Sequence, residues 1–350
     1  MTEKMIPHSR PCFGMEEAWA ITEVLNSGHL SQGGKVEQFE KELASFVGVK
    51  GAVVVNSGTS AIHLGLLAMG IGEGDDVILP SFVCSAPLNA IYAAGATPRV
   101  CDIELESFNI SFENVEMTKT DKTKAVIVPH MFGNVADLEK IERLGIPIIE
   151  DCAHSIGARY GKRRAGSIGK FSIISFYTNK MIGCGEGGAI LSDDEDLLNA
   201  ARDLRNYDEK ETYKVRYNYK MTDLQAAIGL VQLSRLRSCM VRYRKEVASS
   251  YDKFFSELDV VLPKGEFDHV YYRYVVRIKN DLDKVIADLA KLGVSCARPV
   301  YKPIHRYLEM RSGFGNSDEA YSTALSIPIY PSLEKEEQKK VIEAVNSALK

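Results

Sequence analysis

The chain has 350 residues, 45% of them hydrophobic and 26% charged, with a formal net charge of −4. Such a length supports about two domains, the near balance of charges leaves no nucleic-acid footprint, and no apolar run reaches the roughly 20 residues that cross a bilayer. The opening "MTEKMIPHSRPCFG" lacks an apolar signal-peptide core, and the seven cysteines form no C-x-x-C pair. A reduced, cytoplasmic protein without disulfides or a cysteine-held metal is expected.

Strand-like and helix-like stretches then alternate. "GAVVV" (51–55) is a β-branched run, followed by "TSAIHLGLLAMG" with helical spacing. "DDVILP" (75–80) leads to "CSAPLNAIYAAG" and then "ATPRVCDI". "TKAVIVPH" (123–130) precedes "ADLEKIERLG" and "IPIIED" (146–151). Apolar strands between helices predict a mostly parallel sheet covered on both faces, over roughly residues 30–200. "MTDLQAAIGLVQLSRL" (221–236) predicts a helix capped by Thr222, and a second helical run reaches about residue 257. The remainder ("VYYRYVVRI", "LDKVIADLAKLG", "KEEQKKVIEAVNSAL") reads as a smaller α+β domain. The expected division is 14–237 for the large domain and 238–350 for the small one, with residues 1–13 packing on the latter.

Three segments carry chemistry. In "VVVNSGTSAIHL" (53–64) a strand runs into Ser57-Gly58-Thr59-Ser60 at the start of a helix. Free amides there suit a phosphate, although an ordinary helix cap would use the same residues. There is no G-x-x-x-x-G-K-[ST] loop, so this is not a nucleotide fingerprint. In "IPIIEDCAHSIGA" (146–158) Asp151 ends an apolar strand, at the sheet edge where α/β proteins bind ligands. It could equally cap a helix over "CAHS", which would place His154 on the same face. His154 is alternatively a core residue, and no third metal ligand stands at recognisable spacing. In "SFYTNKMIGCGEGG" (175–188) Lys180 stands between an aromatic run and a glycine-rich loop. A phosphate site, a strand-end carboxylate and a lysine are together what pyridoxal phosphate needs: an anchor, a partner for its ring nitrogen and an amine for its aldehyde.

Motifs spread along the chain, among them "SGHLSQGGKVEQFEKELASFVGV", "VNSGTSAIHLGLLAMGIGEGDDVILPSFV", "IIEDCAHSIGA", "GSIGKFSIISFYTNKMIGCGEGGAIL" and "YNYKMTDLQAAIGLVQL", resemble the DegT/DnrJ/EryC1/StrS family of sugar aminotransferases. The resemblance implies the pyridoxal-phosphate-dependent transferase fold type I. It also implies that Lys180 is the Schiff-base lysine and Asp151 the pyridinium partner. His154 falls at a position that contacts the cofactor ring or its phenolic oxygen. Gly58 and Thr59 match the phosphate loop, and Ser175 matches a hydroxyl that also binds phosphate. Asn218 matches an asparagine that reaches the phosphate of the neighbouring subunit, so a homodimer with shared sites is implied. In "PSFVCSA", Cys84 stands against the cofactor face where many relatives carry an aromatic ring, and gives up stacking area.

The function implied is conversion of a nucleotide-linked keto-sugar to an amino-sugar, with L-glutamate as donor, for surface polysaccharide or secondary-metabolite synthesis. Candidate substrate contacts are Lys220 and, in "RPVYKPIH", Tyr301 and His305. Two alternatives stand beside this reading. One is a pyridoxamine-phosphate-dependent sugar dehydratase, although such relatives carry histidine in place of the lysine. The other is a regulatory protein that keeps the fold without turnover.

Overall fold

Short β-branched runs separated by capped helices build the core of the molecule, a computed structural model that describes residues 5–265 and 267–350. Helices α1 (Met15–Ser27) and α2 (Gly34–Val47) precede β1 (Gly51–Val55) and α3 (Gly58–Ala68). Then come β2 (Asp76–Pro80), α4 (Ala86–Ala93), β3 (Thr97–Cys101), α5 (Phe112–Thr118), β4 (Thr123–Pro129), α6 (Leu138–Glu142) and β5 (Ile148–Asp151). A small hairpin, β6 (Arg159–Tyr160) and β7 (Arg163–Arg164), leads to β8 (Phe171–Ser175), β9 (Gly188–Ser192) and α7 (Glu195–Arg205). The seven-stranded sheet has the order β1-β9-β8-β5-β4-β2-β3, and β9 alone runs antiparallel to its neighbours. The predicted mostly parallel sheet is therefore present.

Successive side chains of a strand point to opposite faces, and each face here has its own core. Val53 and Val55 pack with Ile62 and Leu64 of α3 and Leu198 of α7. Ala52 and Val54 pack on the other side with Phe39 and Leu43 of α2. The same alternation in β4 sends Ala125 and Ile127 one way and Val126 and Val128 the other. This two-sided burial is why the strands read as unbroken apolar runs.

Helix α8 (Asp223–Arg235) starts at the predicted cap, where the Thr222 hydroxyl accepts from the Gln225 N–H at 3.3 Å and the Gln225 side chain reciprocates. One π-helical turn, Leu236–Met240, joins it directly to α9 (Val241–Phe255). The expected boundary at 237/238 thus falls inside a continuous helical rod. Beyond it, β10 (Val260–Val261), β11 (Tyr274–Ile278) and β12 (Ala324–Ile327) form an antiparallel sheet. Its elements are interspersed with α10 (Leu282–Lys291), α11 (Ile304–Tyr307), α12 (Gly315–Thr323) and α13 (Lys335–Leu349). Tyr251, Phe255, Tyr274, Leu289 and Val341 make its separate core. Ile6 pairs with Val294 and Arg10 with Glu337 at 2.7 Å, so the chain start lies on this unit; of the stretch 1–13, residues 1–4 lie outside the described residues.

The helix considered over "CAHS" does not form. Asp151 Oδ1 accepts from the Ala153 N–H at 3.0 Å and the chain continues through turns. A side-chain acceptor two residues back competes with helix geometry and favours such a turn.

Candidate active site

The sheet register assembles the first part of the site. Val55, Gly188 and Ser175 lie in one row across β1, β9 and β8. A Cβ on Gly188 would sit 2.4 Å from the Ser57 carbonyl oxygen, so only glycine lets the chain leaving β1 fold over β9. That brings Gly58 against Ser175: a Cβ on Gly58 would stand 3.0 Å from the Ser175 Cβ. The Ser57 hydroxyl caps α3 by accepting from the Ser60 N–H at 3.0 Å. The amides of Gly58 and Thr59, orphaned in the first helical turn, lie beside the Ser175 hydroxyl, a set of donors that could hold an anion.

The second part is a cavity of about 220 Å³, walled by Cys84, Asp151, His154 and Lys180 and, from the C-terminal unit, by the stretch Pro299–Lys302 and Tyr307. Asp151 is buried at the end of β5, with Oδ1 taken by Ala153. Among the described residues, nothing donates to its other oxygen. Burial pushes its carboxyl up, against the pull of the Ala153 N–H, of Lys180 and of His130. Beneath it, the buried Glu150 accepts from the amides of Gly166, Ile168 and Gly169 and pairs with His130, which braces β5 against the following loop.

His154 lies nearly parallel to Tyr272, with centroids 4.2 Å apart, and to Phe132 at 6.2 Å. Its Nδ1 accepts from the Phe132 N–H at 3.4 Å, which leaves the proton of the neutral ring on Nε2. Burial, with Lys180 and Arg273 nearby, holds its pKa well below 6.5, so the ring is neutral at physiological pH. Lys180 follows β8 in a turn closed by its N–H to the Tyr177 carbonyl at 2.8 Å. Its Nζ lies 5.1 Å from the centroid of the Tyr272 ring. Cys84 is exposed to the cavity; desolvation raises its thiol pKa, with Lys180 opposing. Phe82 is fully buried against Phe108 and supplies no replacement ring.

Not every candidate comes to this place. Tyr301 stands at the rim, 86% exposed. His305, expected to contact substrate, is 3% exposed and spends both ring nitrogens inside the protein. Nδ1 is 2.6 Å from the Ser81 hydroxyl, Nε2 is 3.1 Å from Asp318, and the ring stacks on Phe314. These contacts hold it as a clamp between segments, and it does not line the cavity. Lys220 pairs with Asp208 at 2.6 Å and Asn206 at 3.2 Å. Asn218 is exposed between Tyr217 and Tyr219, whose rings stack 4.9 Å apart. Neither Lys220 nor Asn218 lines the cavity of its own chain. Tyr272, Asn179 and Lys302 carry no local sequence signal for the site. The Tyr272 hydroxyl donates to Asn179, beside Lys180, at 3.3 Å, across a chain separation that periodicity does not report.

The chain resembles known proteins over nearly its whole length. The chain is 36% identical to the spore coat polysaccharide biosynthesis protein SpsC of Bacillus subtilis, over 99% of this chain and 97% of that protein. It is 35% identical to the GDP-perosamine synthase of Caulobacter vibrioides, over 94% of each. The crystal structure of the aminotransferase TlmJ from Streptoalloteichus hindustanus superposes with a TM-score of 0.94 at 30% identity, covering 99% of both chains. With residues 11–346 matched by the family's own model, the chain belongs to the DegT/DnrJ/EryC1/StrS aminotransferase family.

Proposed function

We propose that this chain transfers the amino group of L-glutamate to a nucleotide-linked keto-sugar, as a cytoplasmic homodimer whose two sites are each completed by the partner. It is a pyridoxal-phosphate-dependent aminotransferase. The observation that carries the reading is the meeting of Asp151, His154 and Lys180 in one cavity at the sheet edge.

The residues fit the cofactor. The Gly58–Ser175 contact leaves a side-chain-free cradle for a phosphate. The unused oxygen of Asp151 would accept a hydrogen bond from the protonated ring nitrogen, and the Nε2–H of His154 would be free to donate to the phenolic oxygen. When bound, pyridoxal phosphate withdraws electrons from the substrate carbon, so that its hydrogen can leave as a proton. Lys180 would hold the cofactor through its aldehyde and, released by an amino substrate, would carry that proton on its Nζ between the substrate carbon and the cofactor's C4′ carbon. Asp151 would keep the ring nitrogen charged throughout.

A panel of nucleotide keto-sugars, each supplied with L-glutamate, tests the reading through release of 2-oxoglutarate. At least one should be aminated. If no keto-sugar is consumed while another class of carbonyl compound is, the sugar assignment falls.

The shared site makes a sharper prediction, because Asn218 is exposed and absent from its own chain's cavity. Asn218→Asp sets a negative charge beside the partner's phosphate and weakens cofactor binding, and Lys180→Ala removes the amine, so each homodimer is poor or dead. In a mixed dimer one site inherits both defects and the other neither. Activity should return to about half that of wild type per mixed dimer, as two-fold exchange requires. Subunit exchange without recovered activity shows that Asn218 does not serve the neighbouring site.

A further inference from the structure

Lys302 is the one cavity residue with a formal charge and no task in the scheme above. It shares the cavity of about 220 Å³ with Asp151, His154 and Lys180. Its Nζ lies 4.6 Å from the centroid of the Tyr307 ring, a contact that steadies the stem and leaves the ammonium without an anion. Among the described residues it makes no ion pair or side-chain hydrogen bond.

The backbone beneath it is held firmly. The Ile304 N–H donates to the Ser81 carbonyl at 2.8 Å, and the His305 N–H to the Ser81 hydroxyl at 3.1 Å. The buried His305 ring closes on the same hydroxyl, and Pro303 confines residue 302 to extended backbone. The segment that carries Lys302 is thus fastened to the end of β2, which makes the position of the amine a property of the fold.

Charge then decides what it meets. Asp151 is the single carboxylate lining the cavity, against Lys180 and Lys302. With Asp151 assigned to the ring nitrogen and Lys180 to the reacting carbon, Lys302 leaves a positive charge uncompensated at the rim. The two substrates differ in this respect. An amino acid bears a carboxylate on the carbon that loses its amino group. A keto-sugar has none there, and its phosphates lie beyond the sugar ring. The Ser85 hydroxyl lines the same cavity and makes no capping bond to α4, so it can act as a second donor.

We infer that Lys302 binds the α-carboxylate of the amino donor and so determines specificity in the first half-reaction, an inference that rests on the aminotransferase reading above. The test uses the holoenzyme and follows each half-reaction separately by absorbance, in wild type, Lys302→Gln and Lys302→Arg. Losing a charge-assisted hydrogen bond should raise the half-saturating L-glutamate concentration about 10- to 100-fold in Lys302→Gln. Lys302→Arg should recover most of that loss, while the half-saturating concentration of keto-sugar moves by less than about 3-fold, since it makes no such pair.

Reaction with 4-aminobutyrate, which lacks the α-carboxylate, should be equally slow in all three proteins. Calorimetric titration with 2-methylglutamate, which has no α-proton to lose, should show the same weakening without any turnover. Unchanged glutamate saturation in Lys302→Gln overturns the assignment, as does a loss that falls on the keto-sugar, which would place the ammonium at the diphosphate. A wild-type enzyme that takes nothing from any L-amino acid counts instead against the proposed function itself.

Discussion

Lys180→Ala leaves a folded protein that no longer transaminates. Its rate should fall at least about 10³-fold, roughly 4 kcal/mol in the barrier, because the variant lacks the base that moves the substrate proton. Folding should be nearly unaffected. The side chain faces a cavity, and the contact it gives up, over the Tyr272 ring, is worth about 0.5–1 kcal/mol at such a site. Mass spectrometry after borohydride treatment separates this role from a structural one. The cofactor should remain attached to the wild-type chain and not to the variant. Retained turnover, with cofactor still fixed by borohydride, would remove Lys180 from the reaction.

Asp151→Asn should act in opposite directions on rate and stability. The half-reaction with L-glutamate should slow by about three orders of magnitude, roughly 4 kcal/mol, since a neutral amide does not hold the ring nitrogen protonated. A rate within about 3-fold of wild type would reduce Asp151 to a turn-forming residue. The cofactor-free protein should become more stable. The Asp151 carboxyl titrates above its ordinary value, because burial penalises its charged form. The folded state therefore binds this proton more tightly than the unfolded chain does. Stability is lost as pH rises from the unfolded carboxylate value of about 3.9 through the raised folded value. Asn keeps the acceptor for the Ala153 N–H and carries no such penalty. Melting temperatures of the two cofactor-free proteins should thus converge at low pH and diverge in favour of the variant towards neutrality. A wild type that melts higher at pH 7 would contradict this.

Legibility varied with the range of the interaction. The strand at 51–55, the Thr222 cap and the apolar runs ending at Asp151 are set by residues within a few positions of one another. They appeared at the expected places. Short capping and periodicity rules suffice there, because each strand is buried on both faces and each helix on one. The helix considered after Asp151 did not appear. One side-chain hydrogen bond to Ala153 outweighed weak helical spacing. His305, singled out because "YKPIH" resembles a family pattern, has its ring folded inward onto Ser81 instead.

The sequence by itself determined the alternation of strands and helices and the family, and it singled out Lys180, Asp151 and Gly58 as candidates by residue type in local order, with Ser175 added by the family resemblance. The tertiary structure alone decided what surrounds them. Across 90 and more residues of chain it set Tyr272 against His154 and Lys180, fastened Lys302 to the end of β2 and withdrew His305 from the cavity. Such contacts depend on how two separate cores dock, and the register of a docked interface leaves no periodic trace in either partner's sequence.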